Sequence, residues 1–235
     1  ASSANLGPGF DTLGMALNLY LELDVERSKT IQVVHMDKHM QGLPEDESHL
    51  IYKTMADLFA KANQPMPPFR LVIRSQIPLT RGLGSSATAI IAGLLAANEL
   101  LESPFDQHQL FEIATAKEGH PDNVGASLFG GIIVAQWNGK QVSHIRIQPH
   151  ANLETLVIIP QYELETSAAR TVLPEHISFK DAVFNVSHAA LLVAALTSGR
   201  TDLMAHAMQD KMHEPYRADL VPGMETVLKG AVDHG

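Results

Sequence analysis

Residues 82–98 form a long stretch of the chain without a charged side chain. It opens with a glycine- and serine-rich turn, GLGSS, and continues as the apolar run ATAIIAGLLAAN. The run is short for a transmembrane helix, which needs roughly 20 mainly apolar residues. It therefore predicts a helix buried inside a folded domain, and the rest of the chain has to supply the surfaces that cover it.

The segments on either side of this run alternate between strand and helix patterns. Apolar and polar residues alternate at residues 16–26, which predicts a half-buried strand, and residues 30–36 predict its partner. Helical spacing of apolar residues at 49–63 predicts a helix. Residues 68–78 predict a further strand that leads toward the glycine-rich turn.

The later segments complete an α+β order. Residues 103–119 begin with Ser-Pro and end with Gly119, which predicts a helix, and Asn138-Gly139 between two alternating runs predicts a β-hairpin. Beyond a boundary near residue 150, the patterns predict a strand at 155–160 and helices at 179–199 and 201–214. We therefore expect two domains, at residues 1–150 and 151–235.

Composition excludes several classes of protein. The 26 acidic and 17 basic residues give a net charge of −9, which argues against a nucleic-acid partner, because such binders need a basic face. The absence of cysteine rules out disulfides, thiolate metal sites and a thiol nucleophile. With neither a secretory signal nor a membrane span visible, we expect a cytoplasmic protein that contacts no membrane.

Three interpretations compete for the turn GLGSSA at residues 82–87. In the first, Ser85 or Ser86 caps the helix and the glycines form an ordinary turn. In the second, the turn is a dinucleotide fingerprint, but four residues separate it from the preceding strand and no acidic residue ends a following strand. In the third, the glycines and the helix N-terminus hold phosphate groups. A Walker loop is excluded, because no Gly-Lys-Ser/Thr follows.

Two other stretches are too polar and too rich in glycine to be ordinary core. The first is SSANLGPGFDTLGMAL at residues 2–17, and the second is EGHPDNVGASLFGG at residues 118–131. Taken alone, each is also compatible with a plain loop. Histidines such as His206 and His213 lack a convincing metal-ligand arrangement, so we expect them to be solvated.

Together these stretches resemble the homoserine kinases of the GHMP kinase superfamily. The resemblance rests on ANLGPGFDTLGMAL, PLTRGLGSSAT and EGHPDN in this order and spacing, and on ETSAAR and HEPYR in the second half. It implies an α+β, two-domain GHMP kinase fold, with an N-terminal domain like ribosomal protein S5 domain 2 and a ferredoxin-like C-terminal domain. The family has a strand before ASSANLG and a glycine-rich motif after residue 235, so we expect both domains to be truncated at the chain ends.

The resemblance also implies a set of site residues. The ATP-binding loop would comprise Pro78, Leu79, Thr80, Arg81, Gly82, Leu83, Gly84, Ser85, Ser86, Ala87 and Thr88. Mg²⁺ would be held by Ser86 and Glu112, a hydroxyl and a carboxylate that suit a hard cation. The substrate L-homoserine would be bound by Asn5, Asp11, Arg170 and Arg217. The residues acting in catalysis would be Asn123, His120 and Thr166.

The implied reaction is transfer of the γ-phosphoryl group of ATP to the side-chain hydroxyl of L-homoserine, a step of threonine biosynthesis. An arginine fork suits the substrate carboxylate, and Asp11 suits its ammonium group. Because the amide of Asn123 cannot accept a proton, we predict catalysis without a dedicated protein base, with Asn123 orienting the hydroxyl.

Two other functions compete with this one. A superfamily kinase acting on mevalonate or a sugar would leave Arg170 and Arg217 without an amino-acid carboxylate to bind. A non-catalytic nucleotide-binding homologue would be expected to lack Ser86 or Glu112, and both are present. The sequence leaves the oligomeric state open, with a homodimer the commonest assembly of soluble proteins.

Overall fold

Residues 1–234, which a computed structural model describes, form two β-sheets with α-helices packed against them. The strands are β1 Ser2–Ala4, β2 Leu13–Ala16, β3 Leu21–Arg27, β4 Gln32–His35, β5 Phe69–Ser75, β6 Ile132–Trp137 and β7 Val142–Ile147. The α-helices are α1 Leu50–Lys61, α2 Ser85–Leu100, α3 Gln107–Glu118, α4 Asp122–Phe129, α5 Thr166–Thr171, α6 Phe179–Ser198, α7 Met204–Ala207, α8 Glu214–Arg217 and α9 Met224–His234.

The first sheet has the antiparallel order β1-β2-β6-β7. Its β6–β7 hairpin confirms the prediction from Asn138-Gly139: the Asn138 side chain accepts hydrogen bonds from the backbone of Lys140 and Gln141, and Gly139 has a φ of 88°. This sheet begins with the first residues of the chain and ends with the hairpin that follows α4, so it joins two of the predicted functional motifs.

The second sheet has the order β3-β5-β4, which corrects the expectation that residues 16–26 and 30–36 pair with each other. The apolar strand β5 takes the centre, antiparallel to β3 and parallel to β4. Strand β3 lies at the edge because every second residue is acidic. Asp24 and Glu26 face Arg74 and Arg70 on β5 at 2.7 and 3.3 Å.

Helix α2 lies in the main core, as its uncharged sequence predicts. Its Ile90 and Leu94 are fully buried against residues from α1, α3 and the second sheet. Gly93 permits this approach, because a Cβ there would lie 2.8 Å from the Ile51 carbonyl oxygen of α1. Helix α3 begins at Gln107, later than its Ser-Pro signal, because Asp106 and Gln109 form a capping box.

Helix α6 covers the first sheet. Its Leu192 and Leu196 join Leu13, Ile132 and Ile147 in a second, smaller core cluster. By length and composition alone α6 could cross a membrane, although this packing assigns its buried stripe to the protein interior. The division at residue 150 stays a prediction.

Two expected elements in the second half are absent from the described residues. Residues 155–160 form no strand, and Leu156 and Ile158 are 89% and 63% exposed. The helix expected at 201–214 is broken after α7, because the Asp210 carboxylate accepts backbone hydrogen bonds from residues 212, 213 and 214 and so forms a loop.

Candidate active site

The glycine-rich turn leads directly into the N-terminus of α2, and no side chain caps that terminus. Gly84 is the N-cap residue with a left-handed φ of 65°, and Ser85 and Ser86 are already inside the helix. The interpretation in which a serine caps the helix is therefore wrong. The first backbone N–H groups of α2 are left without a side-chain acceptor, at the positive end of the helix dipole, which is the arrangement that binds phosphate.

The three predicted motifs meet at Gly84. A Cβ on this glycine would lie 2.2 Å from Ser2 Oγ and 3.0 Å from Asn123 Oδ1. Ser2, which is fully buried, donates a hydrogen bond to Asn123 Oδ1 at 2.9 Å. The beginning of the chain, the glycine turn at residues 82–87 and the HPDN loop at residues 120–123 are thus in direct contact, and Asn123 lies beside the turn.

The structure corrects the predicted partner of Ser86. Ser86 Oγ donates to the carboxylate of Glu118 at 3.1 Å, and no lysine, arginine or histidine side chain of residues 1–233 pairs with Glu118. Glu112 instead lies 3.6 Å from His108, beside His144 of β7. Six residues along an α-helix correspond to roughly 600°, so the two glutamates project from different faces of α3.

Two predicted substrate residues, Asp11 and Arg170, form a bidentate ion pair. The guanidinium of Arg170 donates to both carboxylate oxygens of Asp11, at 2.5 and 3.0 Å. Arg170 and Arg217 both lie near the ring of Phe10, with their guanidinium carbons 5.2 and 5.1 Å from its centroid. Both predicted arginines are therefore close to the loop that carries Asp11.

Arg217 is held among buried groups. Its Nε donates to the Ala169 carbonyl at 2.9 Å, and burial together with the neighbouring positive charge of Arg170 lowers its pKa. His213, one turn earlier, is 5% exposed and its Nε2 lies 2.8 Å from the Gly7 carbonyl oxygen. The expectation that His213 is solvated is wrong, because this histidine joins α8 to the loop at residues 5–11.

His120 and Asp122 form a second buried pair beside Asp11. His120 Nδ1 lies 2.6 Å from Asp122 Oδ1, which also accepts the backbone N–H of Asn123. Burial opposes a charged imidazole here, but the hydrogen bond and charge of Asp122, with help from Asp11, raise the pKa of His120. The pair therefore fixes the HPDN loop and favours a protonated ring.

Asp11, His120 and Asp122 bring ligand-type atoms within 4.8 Å of one another, as a metal site would. Arg170 already occupies both oxygens of Asp11, and Asp122 is satisfied by His120 and the Asn123 backbone. We therefore describe these residues as an ion-pair and hydrogen-bond network. A cavity of about 410 Å³ borders the network, lined by Asp11, Thr12, Gly119, His120, Pro121, Ala135, Gln136 and Trp137.

Two predicted residues, Asn5 and Thr166, lie outside the ion-pair and hydrogen-bond network. The side chain of Asn5 accepts the backbone N–H of Asp11 at 3.1 Å, and Asn5 and Asp11 both have positive φ, so Asn5 shapes the loop that presents Asp11. Thr166 is the exposed first residue of α5, the helix that carries Arg170. The structure shows no hydrogen bond from its side chain to another described residue.

Sequence reasoning missed some residues that the structure brings to this region. Glu118 directly precedes GHPDN, and Phe10 directly precedes Asp11, so adjacency to the motifs was the available signal. Ser2 begins the stretch at residues 2–17 and carried the same signal, whereas Glu163 lies outside the quoted motifs. Glu163 lies 3.8 Å from Arg81, next to a backbone hydrogen bond from Leu164 to Thr80 in the glycine loop.

The chain is similar to known kinases. Residues 49–131 match the family model described as the GHMP kinases N terminal domain. The chain is 46% identical to a homoserine kinase of Deinococcus radiodurans, over all of this chain and 76% of that protein. It is 42% identical to a homoserine kinase of Moorella thermoacetica, over all of this chain and 79% of that protein.

Solved structures show the same fold. The crystal structure of a homoserine kinase from Cytophaga hutchinsonii is 28% identical, with a TM-score of 0.84 over all of this chain and 77% of that one. The L. major mevalonate kinase bound to R-mevalonate is 13% identical, with a TM-score of 0.63 over 95% of this chain and 74% of that one, and shows a shared fold alone. The predicted GHMP kinase fold is confirmed.

Proposed function

The chain belongs to the homoserine kinases of the GHMP kinase superfamily, and we propose that it works at the junction of the glycine turn, the HPDN loop and the Asp11–Arg170 pair. Its activity is phosphorylation of the side-chain hydroxyl of L-homoserine by ATP, which gives O-phospho-L-homoserine for threonine biosynthesis. The single observation that supports this location best is the uncapped N-terminus of α2 in contact with Asn123.

The phosphates of ATP would lie on the turn at residues 78–88. The N–H groups that follow Gly84 supply donors and a positive dipole end, and the left-handed glycine lets backbone approach the phosphate oxygens without a side chain in the way. Such donors neutralise charge on the phosphoryl oxygens as the group is transferred.

Ser86 and Glu118 fit Mg²⁺. The pair combines a hydroxyl with a carboxylate that no described cation neutralises, at the helix end where the phosphates are expected. When bound there, Mg²⁺ would screen the phosphate charges. We therefore propose Glu118, in place of Glu112, as the carboxylate of the metal site.

L-Homoserine would bind on the other side of Asn123, beside the cavity at Asp11 and His120. Its carboxylate suits the guanidinium groups of Arg170 and Arg217, and its ammonium group suits Asp11. In the structure, Arg170 and Asp11 satisfy each other. Substrate binding would exchange this ion pair for two complementary contacts to the zwitterion.

Asn123 would orient the attacking hydroxyl. Its Oδ1 already accepts a hydrogen bond from Ser2, so the position of the amide is fixed beside the turn. The substrate oxygen forms the new bond to the γ-phosphorus, the bond to ADP breaks, and the hydroxyl proton passes to a phosphoryl oxygen or water. The protonated form of His120, which Asp122 favours, would add positive charge nearby, and Thr166 would add a hydroxyl on the helix that bears Arg170.

The test of this arrangement is Asn123→Asp. We expect kcat to fall without a new acidic limb in the profile of kcat/KM between about pH 5 and 9, because a positioned base is not required for a loose transition state. Asn138→Asp, the same change in the remote β6–β7 turn, is the control. A rise in activity of Asn123→Asp with a new acidic pKa would show that the reaction needs a base.

The proposal also covers the location and the assembly of the protein. We infer a cytoplasmic enzyme, in keeping with the absence of cysteine and the small, charged substrates. The absence of nucleic-acid and membrane partners, and a homodimeric state, stay predictions.

A further inference from the structure

Arg81 is the one charged residue in the turn at residues 78–88. The turn has no lysine of the Walker type, and α2 carries no basic residue in its last turn or acidic residue in its first. A triphosphate brings several negative charges to this place, and backbone N–H groups neutralise them only in part. Arg81 is therefore the one side chain of the loop whose charge could neutralise the remaining negative charge of the phosphates.

The guanidinium of Arg81 is mostly buried and incompletely bonded. Its side chain is 19% exposed, and Nη1 is fully buried without a hydrogen-bond partner among residues 1–233. The buried hydroxyl of Thr80, the preceding residue, also has no partner among those residues. Unsatisfied donors of this kind are costly, most of all when charged, so two in adjacent residues indicate a missing acceptor.

The partner that Arg81 does have is a weak one. Nη2 lies 3.8 Å from Glu163 Oε1, which is beyond hydrogen-bonding distance, and the Glu163 side chain is 68% exposed. Glu163 is kept near by the backbone, since Leu164 N–H donates to the Thr80 carbonyl at 3.0 Å. A solvated ion pair of this length is readily exchanged for a stronger contact.

We propose that Arg81 is the phosphate-binding cation of the loop, and that Glu163 is its competing partner while no nucleotide is bound. The inference rests on the proposed nucleotide site and adds to it a residue that distinguishes nucleotides by their phosphates. Binding of ATP exchanges the long Arg81–Glu163 pair for charge-assisted hydrogen bonds to phosphate oxygens.

The experiment measures dissociation constants of adenosine, ADP and ATP by calorimetry with Mg²⁺ present and homoserine absent. The proteins are wild type, Arg81→Gln, Arg81→Lys and Glu163→Gln. Arg200→Gln is the control for loss of an arginine, because Arg200 pairs with Asp202 at an exposed site. Glu165→Gln is the control for loss of a carboxylate in the same segment.

We expect Arg81→Gln to weaken ATP binding by roughly 10- to 100-fold, with less effect on ADP and little on adenosine. Arg81→Lys should restore part of the loss, and Glu163→Gln should tighten ATP binding a few-fold, unlike Glu165→Gln. Equal weakening of adenosine and ATP would show a purely structural arginine and overturn the proposal. Weaker ATP binding by Glu163→Gln would overturn the competition with Glu163.

The same titrations separate this inference from the proposed function. Wild-type protein that gains no affinity from adenosine to ATP would overturn the phosphate site and, with it, the part of Arg81. Normal phosphate-dependent binding that Arg81→Gln leaves unchanged would overturn the part of Arg81 alone.

Discussion

The proposed site brings together pairs of residues that are far apart in the sequence. Asp11 meets Arg170, and Ser2 meets Asn123, across more than a hundred residues in each pair. The residue types were readable from the motifs, since a zwitterionic substrate needs an arginine fork and a carboxylate. The pairing of Asp11 with Arg170 was not, because the expectation assigned each residue to the substrate separately.

The choice between Glu112 and Glu118 as the proposed metal carboxylate shows what a motif match leaves open. Glu112 and Glu118 occupy the same helix, and a motif match alone does not say which face of α3 turns toward α2. The contact between Ser86 and Glu118 decides it. Helix phase relative to a neighbouring element is a tertiary property, which local sequence does not specify.

Glu118→Gln and Glu112→Gln form a matched pair. We expect Glu118→Gln to lower kcat by at least about tenfold and to raise the Mg²⁺ concentration for half-maximal rate, because a charged ligand is lost. Glu112→Gln, the same change on another face of the helix, should leave both quantities close to wild type. A magnesium titration of initial rates checks this, and the reverse order would restore Glu112 as the metal residue.

At the scale of elements, the start of α2 controls the site. The turn holds Gly84 in a left-handed conformation while Ser2 and Asn123 fill the space where a side chain would lie. Gly82 shares the positive φ, at 73°, but has no atom within 4 Å of its would-be Cβ. Substitutions at the two glycines therefore distinguish the effect of backbone strain, which is present at both positions, from that of steric contact, which is present only at Gly84.

Gly84→Ala should be far more damaging than Gly82→Ala. Both variants incur strain of about 1 kcal/mol from the left-handed backbone. Gly84→Ala must also displace the Ser2–Asn123 hydrogen bond, so we expect kcat/KM to fall on the order of 100-fold. Steady-state kinetics with thermal unfolding checks both. Equal kinetic losses would mean that strain alone, rather than contact with Asn123, explains the effect.

Helix α1 gives the protein a dependence on pH away from the site. Buried His49 is its N-cap, and its Nδ1 accepts the backbone N–H of Ile51 at 3.2 Å. Burial, with a smaller contribution from His35, lowers the pKa of His49 from 6.5 to about 4. Below pH 6.5 the unfolded chain takes up a proton that the folded chain excludes, so stability falls as pH falls from 6.5 toward 4.

His49→Asn retains a capping side chain but removes this titration. We expect its free energy of unfolding to change less than that of wild type between pH 6.5 and 4, by about 2 kcal/mol. His39→Asn, at an exposed position, is the control. Urea unfolding across this pH range measures the difference. Parallel pH profiles for wild type and His49→Asn would contradict the assignment.

Elements with strong local signals were predictable. The Asn-Gly hairpin and the stop of α3 at Gly119, with its φ of 92°, follow from backbone chemistry within a few residues. The order of the second sheet was not, because it depends on which strand is apolar enough to take the centre. The break after α7 was also missed, since it comes from the Asp210 carboxylate competing for backbone N–H groups.

At the scale of the whole molecule, the site forms where both parts of the chain meet. Strand β1, the N-terminus of α2 and helix α4 position Ser2, Gly84 and Asn123. Helices α5 and α8 bring Arg170 and Arg217 to the loop that carries Asp11. The fold class followed from the order of strand and helix patterns and from the family resemblance. Residues 155–160 were misjudged, because β-strand patterning forms a strand only where a partner strand is available.

The central claim is that this arrangement selects an amino-acid alcohol as phosphoryl acceptor. The most direct measurement is ADP release from MgATP with L-homoserine, L-serine, mevalonate, galactose and no acceptor. We predict turnover with L-homoserine alone, since it has both the zwitterion for Arg170, Arg217 and Asp11 and a hydroxyl of the right reach. Equal or faster turnover with mevalonate or galactose, or ADP release independent of any acceptor, would contradict the account.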